Sequence, residues 1–420
     1  VARAASPYAE AMRRITVEER RARLGARHGL VEPVGTVAEA VDAMVVLHAT
    51  DPATVYLSAM ARIAEPSLAA VSRALYDERN VVRLLGMRRT LFVAPVELVP
   101  VIERSSTDEV ARRERKRLEK ALGDGGILDP AGWLAEATGE IERALASGGL
   151  PARTLTTRAP ILATRIMVQA GTKYATEVGA TSRTLGLLAA EGRLMRGRPA
   201  GGWTGRQHEW HMRSNWLDAA DGACVPGPVG GDDEWDEAAA ATELVRRWLS
   251  RFGPGTFEDL KWWTGWGVGR LRRALAALDV LEVDLGDDAT GLVLADDVDP
   301  VTPPTDGWVS LLPSLDPTPM GWKQRAWFLG PHQPRLFDRN GNIGPTVWVD
   351  GRIAGGWGQR PDGSVATELL EDVGRDHLGL IERELERLHS LISPTVVRPS
   401  FPTPLQRELS TGTEDVGELG

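Results

Sequence analysis

His48, Thr50 and Asp51 lie within the run Leu47-His-Ala-Thr-Asp-Pro52. An Asp followed by Pro starts a helix: the carboxylate caps the first turn and the proline ring already holds the helical φ. In an extended approach to that helix His48 and Thr50 stand two apart and project to the same side. An imidazole and a hydroxyl beside a helix N-terminus can hold and polarise a water molecule. The plainer alternative is that both satisfy neighbouring backbone groups, and on this run alone it is the stronger.

A second group has the chemistry of a polyanion binder. Arg193, Arg196, Arg198, Arg206 and Arg213 face Glu209 as their only acidic neighbour, interleaved with Trp203, His208, Trp210 and His211. Cations alternating with planar rings suit a ribbon that tracks a phosphate backbone and touches bases. A solvated hairpin is an equally good reading. Arg88 and Arg89 repeat the pattern more weakly. The charged run Ala111–Lys120 reads as an exposed helix face.

Other chemistries are disfavoured. Gly265-Trp-Gly-Val-Gly269 lacks the last glycine of a dinucleotide loop and a strand before it, so a helix-turn-helix corner fits better. His208 and His211 are three apart, not the four of a zincin helix. Asp338-Arg-Asn-Gly-Asn342 places its glycine too early for a calcium loop and reads as a hairpin turn. There is no Gly-x-Ser-x-Gly elbow and no phosphate-binding Gly-x-x-x-x-Gly-Lys. Cys224 stands alone, which excludes an intrachain disulfide and a cysteine zinc cluster. We therefore expect no metal and no cofactor.

The elements that must position these residues follow one repeated grammar: amphipathic helix, short turn, β-ribbon. Pro66–Tyr76 leads into two β runs between Val81 and Val93, hinged near Gly86. Thr181–Gly192 leads into the ribbon Arg193–Trp216, turning at Gly201-Gly202. The third copy is the clearest: Thr256 caps one helix, Gly265-Trp-Gly267 breaks it, Val268–Leu278 restarts it, and strands Val280–Leu285 and Gly291–Leu294 follow. Helix, glycine turn, helix and hairpin make a winged helix-turn-helix. Beyond Pro300 come short strands at Trp308–Pro313, Val347–Val349, Arg352–Ala354 and Val365–Leu370. Hairpin signals stand at Asn340-Gly341, Asp350-Gly351 and Asp362-Gly363. A helix over roughly 372–392 closes the fold.

With 420 residues, 42% hydrophobic and 25% charged, the chain can bury a substantial core. No apolar stretch is long enough to span a bilayer and residues 1–10 lack the apolar core of a secretory signal, so a cytoplasmic, membrane-free protein is expected. The net charge of −9 hides an asymmetry, because residues 1–220 hold 31 Lys and Arg against 25 Asp and Glu. Only five of the 49 cations are lysine, and arginine is the better bidentate phosphate ligand.

Thr50-Asp-Pro52, Met87-Arg-Arg-Thr-Leu-Phe-Val93, Leu312-Pro-Ser-Leu-Asp-Pro-Thr-Pro-Met-Gly321 and Asn342–Trp357 resemble the AlkZ/YcaQ-like winged-helix DNA glycosylases, over roughly Thr16 to Leu409. The resemblance implies an α+β fold with three tandem winged helix-turn-helix units around a C-terminal β-barrel-like domain. On this chain the units fall at residues 1–125, 126–220 and 221–300, the β-rich domain at 301–409 and a disordered tail at 410–420. It also implies excision of bulky N7-alkylguanine adducts, interstrand crosslinks among them, in base-excision repair or genotoxin self-resistance. The partner would be double-stranded DNA carrying alkylated purines, met by a bacterial monomer.

The family's motif before Asp-Pro is Gln-x-Gln or Gln-x-Asp, and His48 and Thr50 occupy those two positions. A hydrolytic, monofunctional glycosylase would use His48, Thr50 and Asp51 as its catalytic group. DNA binding would fall to Arg88, Arg89, Arg193, Arg196, Arg198, Arg206, His208 and His211, with a hairpin bearing Arg335, Arg339 and Arg352. The alternative is a non-catalytic winged-helix DNA-binding protein or transcriptional regulator.

Overall fold

The computed structural model describes residues 12–218 and 235–411. Cys224, the 220/221 boundary and the tail beyond residue 411 lie outside the described residues. Residues 410 and 411 finish a helix, Pro404–Thr411, instead of opening a loose tail.

The local signals are realised closely. Ser67 caps the helix Leu68–Tyr76, and strands Val81–Leu85 and Leu91–Pro95 form the first hairpin across a turn at Met87–Arg89. Leu47–His48 adds a third strand to it by pairing with Val93 and Phe92. The helix Thr181–Ala190 leads into the second hairpin, Leu194–Ala200 and Gln207–Met212. That ribbon ends earlier than expected, because Arg213–Asp218 turns helical. In the third copy Thr256 and Asp259 form a reciprocal capping box on Phe257–Thr264. Gly265 then adopts a left-handed conformation, φ 72°, and Val268–Ala276 follows. The third hairpin is Val280–Asp284 with Thr290–Leu294.

The C-terminal region corrects the barrel expectation. Val309–Leu312, Thr346–Val349, Arg352–Gln359 and Val365–Leu369 form one antiparallel sheet in that order, open at its first and last strands. Helix Arg375–Ile392 packs on the first strand and Pro404–Thr411 on the third. Covering the sheet with helices removes the need for closure. Asp350-Gly351 makes the tight turn, with φ of 47° and 80°.

Apolar burial divides the molecule unevenly. One large core joins the first copy, the third copy and the C-terminal sheet, from Leu24 to Leu405. The second copy has a core of its own, including Leu122, Ile141, Leu185 and Trp210. Among the described residues no helix is long and apolar enough to cross a membrane.

Candidate active site

Asp51 behaves as its position dictates. Its carboxylate accepts the Ala53 N–H at 3.2 Å, capping the helix Pro52–Met60. Its other oxygen accepts the Ser400 N–H at 2.8 Å. Both oxygens are spoken for and the residue is buried, so Asp51 holds the helix start and a C-terminal strap together. A direct chemical role for its carboxylate is not what this geometry offers.

His48 is half-buried on the edge strand, its ring 5.0 Å from that of Phe92. Burial pushes the imidazole pKa down to about 4, and the nearby Arg88 guanidinium pushes the same way against Asp316. The ring is therefore neutral near pH 7, and a neutral imidazole can accept a hydrogen bond from water. Thr50 is exposed at the mouth of the same helix.

Beneath this point lies a dense polar network. Arg62 and Asp316 form an ion pair at 2.7 Å with both side chains fully buried. Ser58 donates to Asp316, Arg62 reaches Thr318, and Thr318 meets His28. The Ser314 carbonyl accepts from Thr54 on the Pro52–Met60 helix. Next to it Leu315 is left-handed, φ 60°, a cost that surrounding contacts must offset. Sequence reading singled out Leu312–Gly321 only as part of a resemblance. Its work is to brace the helix that Asp51 caps.

Two residues beside the site carried no sequence signal. Trp262, on the helix Phe257–Thr264, lies under the Arg88 guanidinium at 4.5 Å and under that of Arg325 at 5.2 Å. Arg325 also stacks on Phe337 at 5.0 Å. The one legible hint was the Thr256 cap, which Asp259 completes as a capping box. Its Asp259 has an oxygen left over, which accepts the N–H groups of Lys323 and Gln324 at 2.8 Å each and so places Arg325.

The second hairpin departs from its expected role. Arg196 is half-buried over the Trp210 ring, 4.6 Å away. His208 bonds the Gly197 carbonyl, and burial drives its pKa to about 4. His211 is packed against Gly149, Gly197 and Trp216. Arg198 pairs with Asp77 at 2.8 Å, Arg193 with Glu142, and Arg206 donates to Ser400 Oγ at 2.8 Å. Trp203 at the tip rests on Tyr56. Arg198 and Trp203 seam the second copy to the first and Arg206 ties it to the C-terminal region, while Arg193, Arg196 and His208 are satisfied within the second copy itself. Arg213 is buried against Glu103.

Arg335, Arg339 and Arg352 do not share a hairpin. Arg335 ends a short helix and pairs with Glu368 and Glu408, and Arg352 opens a strand and pairs with Glu371 at 2.6 Å. Arg339 is exposed in the Asp338–Asn342 turn. Arg89 pairs with Glu114 at 2.9 Å. Among the described residues no three His, Cys, Asp or Glu side chains gather as a metal ion requires.

Comparison with known proteins places this geometry. No curated protein matches the chain. A solved structure, the Streptomyces sahachiroi DNA glycosylase AlkZ, shares the fold with a TM-score of 0.64 at 18% identity, covering 92% of this chain and 99% of that one. The family described as DNA glycosylase AlkZ-like matches residues 41–391, most of the chain, and the protein belongs to the AlkZ-like DNA glycosylase family.

Proposed function

We propose that this protein hydrolyses the N-glycosidic bond of N7-alkylated purines in duplex DNA, with His48 and Thr50 placing the water. The observation that carries the reading is the neutral, half-buried His48 at the mouth of a rigidly braced helix, with an exposed Thr50 beside it. N7-alkylation makes the base a cationic leaving group, and its departure leaves an oxocarbenium-like sugar. Such a reaction needs a positioned water more than a strong base. An imidazole with a depressed pKa orients water without adding a second positive charge next to the sugar.

The helix, turn, helix and hairpin units are winged helices on this reading, and a single copy of the chain wraps the duplex. Of the expected DNA contacts Arg88, Arg89, Arg193, Arg198, Arg206 and Arg339 keep an exposed position, and of these Arg88 and Arg339 have no hydrogen-bonded side-chain partner among the described residues. Hydrolysis without a covalent intermediate fits the lysines at hand: Lys261 and Lys323, neighbours in sequence of Trp262 and of the Arg325 segment, both pair with Glu258. Bulky adducts and crosslinks are the favoured lesions, and repair or self-resistance the favoured role.

The test is single-turnover incubation of the full chain with duplexes carrying one N7-methylguanine or one bulkier N7 adduct. The readouts are free base and alkali-labile abasic sites. Release of either base is expected. No release from any N7 adduct, with DNA binding intact, would replace this reading by that of a non-catalytic DNA-binding protein.

A further inference from the structure

Arg88 and Arg325 are brought together by local rules that have no need of each other. Arg88 sits in the first hairpin turn with φ 56°, a left-handed conformation that an arginine adopts only at a cost. Its side chain passes over Gly265, where an added Cβ would meet Arg88 Cγ at 2.8 Å. Gly265 is thus required twice: its φ of 72° ends a helix, and its missing side chain lets the guanidinium reach Trp262. Arg325 reaches the same indole from a separate segment of the chain, whose backbone is fixed by Asp259.

The result is two guanidinium groups on one indole. Among the described residues neither has a hydrogen-bonded carboxylate, whereas most arginines discussed above do. Burial lowers the pKa of both, and for Arg325 the Arg88 charge lowers it further against Asp259, the behaviour expected of partly desolvated cations. Held like charges with open donors form an anion site. Arg88 also lines a cleft of about 350 Å3 with Arg89, Arg113, Arg117, Glu109 and Glu114, where the other three arginines are already paired with those two acids and Arg88 is not.

We propose that Arg88, Trp262 and Arg325 form a clamp for a DNA phosphodiester flanking the nucleotide presented to His48. The indole holds both forks by cation–π contact, so their donors are oriented before DNA arrives. Bound phosphate also cancels the positive field that Arg88 imposes on His48, where a cationic sugar would otherwise be disfavoured. This inference rests on the glycosylase reading for its ligand, and the two can fail separately.

The experiment uses the full chain and a duplex with one tetrahydrofuran abasic analogue, read by fluorescence anisotropy across a salt series. Arg325→Met should weaken binding about tenfold near 0.1 M salt and lower the salt slope by about one unit. Arg325→Lys should recover the slope but only part of the affinity, since lysine lacks the fork. At saturating enzyme, single-turnover excision by Arg325→Met should fall less than affinity does. Replacing one flanking phosphate by methylphosphonate should cost the wild type what Arg325→Met costs, and cost the variant little more.

An unchanged salt slope in an Arg325→Met protein with wild-type melting overturns the clamp. So does full additivity of methylphosphonate at every position with the variant. If inorganic phosphate alone raises the melting temperature in an Arg325-dependent way while the DNA slope stays constant, the site holds a free anion and the clamp is overturned. Excision with an Arg325-independent slope leaves the glycosylase reading standing without the clamp. An Arg325-dependent slope without excision leaves the clamp standing on a DNA-binding protein.

Discussion

The first and second hairpins both carry arginines and aromatic rings, yet their charges are used differently. In the second, Arg193 and Arg198 meet Glu142 and Asp77, Arg206 meets Ser400, and Arg196 lies over Trp210. In the first, Arg89 pairs with Glu114, but Arg88 stacks on Trp262 and meets no acid within hydrogen-bonding reach among the described residues. A count of cations along a sequence therefore measures binding potential poorly. What matters is whether folding has already supplied each charge with an anion.

The buried pair at the base of the site should respond most. Asp316→Ala leaves the Arg62 guanidinium fully buried without its carboxylate, and loss of one partner of such a pair costs about 3–5 kcal/mol. Urea denaturation should register that loss. A change within about 1 kcal/mol would mean that water enters and solvates Arg62, erasing the contrast between sealed and open charge.

Next comes His48. His48→Ala should lower single-turnover excision about a hundredfold with little change in DNA affinity. Because the pKa of His48 is near 4, with Arg88 and Asp316 as the charges facing it, the imidazole stays neutral from pH 5 to 9. The wild-type rate should be flat across that range and fall only as the ring gains its proton below about pH 5. An inflection near 6.5 would show a solvated imidazole and remove burial as its governing influence. Stability carries the opposite reference point. Unfolded His48 takes up a proton near pH 6.5 and the folded ring only near 4. Between these values the unfolded chain binds more protons, and stability rises with pH.

Asp51→Asn should have a smaller effect. Asparagine can still cap Ala53, but its amide would point N–H at the N–H of Ser400. Leaving that buried donor unmatched costs about 1–3 kcal/mol, seen as a lower melting temperature. Excision by the protein that remains folded should stay near the wild-type rate. A collapse of rate without a loss of stability would return a chemical role to the carboxylate.

The least effect is expected from the joint replacement of Arg193, Arg198 and Arg206 by alanine. These side chains already have partners, so duplex affinity should fall less than about threefold and the salt slope by less than one unit. A slope lowered by about three units would break the comparison, because it would mean that the second hairpin releases Asp77, Glu142 and Ser400 when DNA binds.

What was legible in the sequence was short-range chemistry. Asp51-Pro52, the Thr256 cap, the helix break at Gly265 and the Asp350-Gly351 turn depend on neighbours within a few residues, and all stand where their types imply. His48 was legible as a type beside a helix start, but not as an edge-strand residue, because two residues of strand carry no periodicity. The seam between the second hairpin and the C-terminal region was illegible: Arg206 finds Ser400 across 194 positions, and no local pattern announces it. Arg325 was missed because it lies in an irregular segment and is placed by a carboxylate oxygen 66 positions earlier, itself half of a capping box. The barrel-like domain was expected from the resemblance alone, and the strand and turn signals could not correct it because they look alike in a barrel and an open sheet. Only the pairing of the outer strands separates them.

The bond from Ser400 to Asp51 spans 349 positions, and the pair of Arg62 with Asp316 spans 254. Contacts of such separation form late, after the entropy of closing very long loops has been overcome. As the ribosome extends the chain, His48 emerges early, but its helix lacks its brace and its strap until the final strands and the segment at Ser400 have been made. If His48 places the water, an interrupted product that carries its motif but stops short of Ser400 would lack the contacts that hold the motif in place.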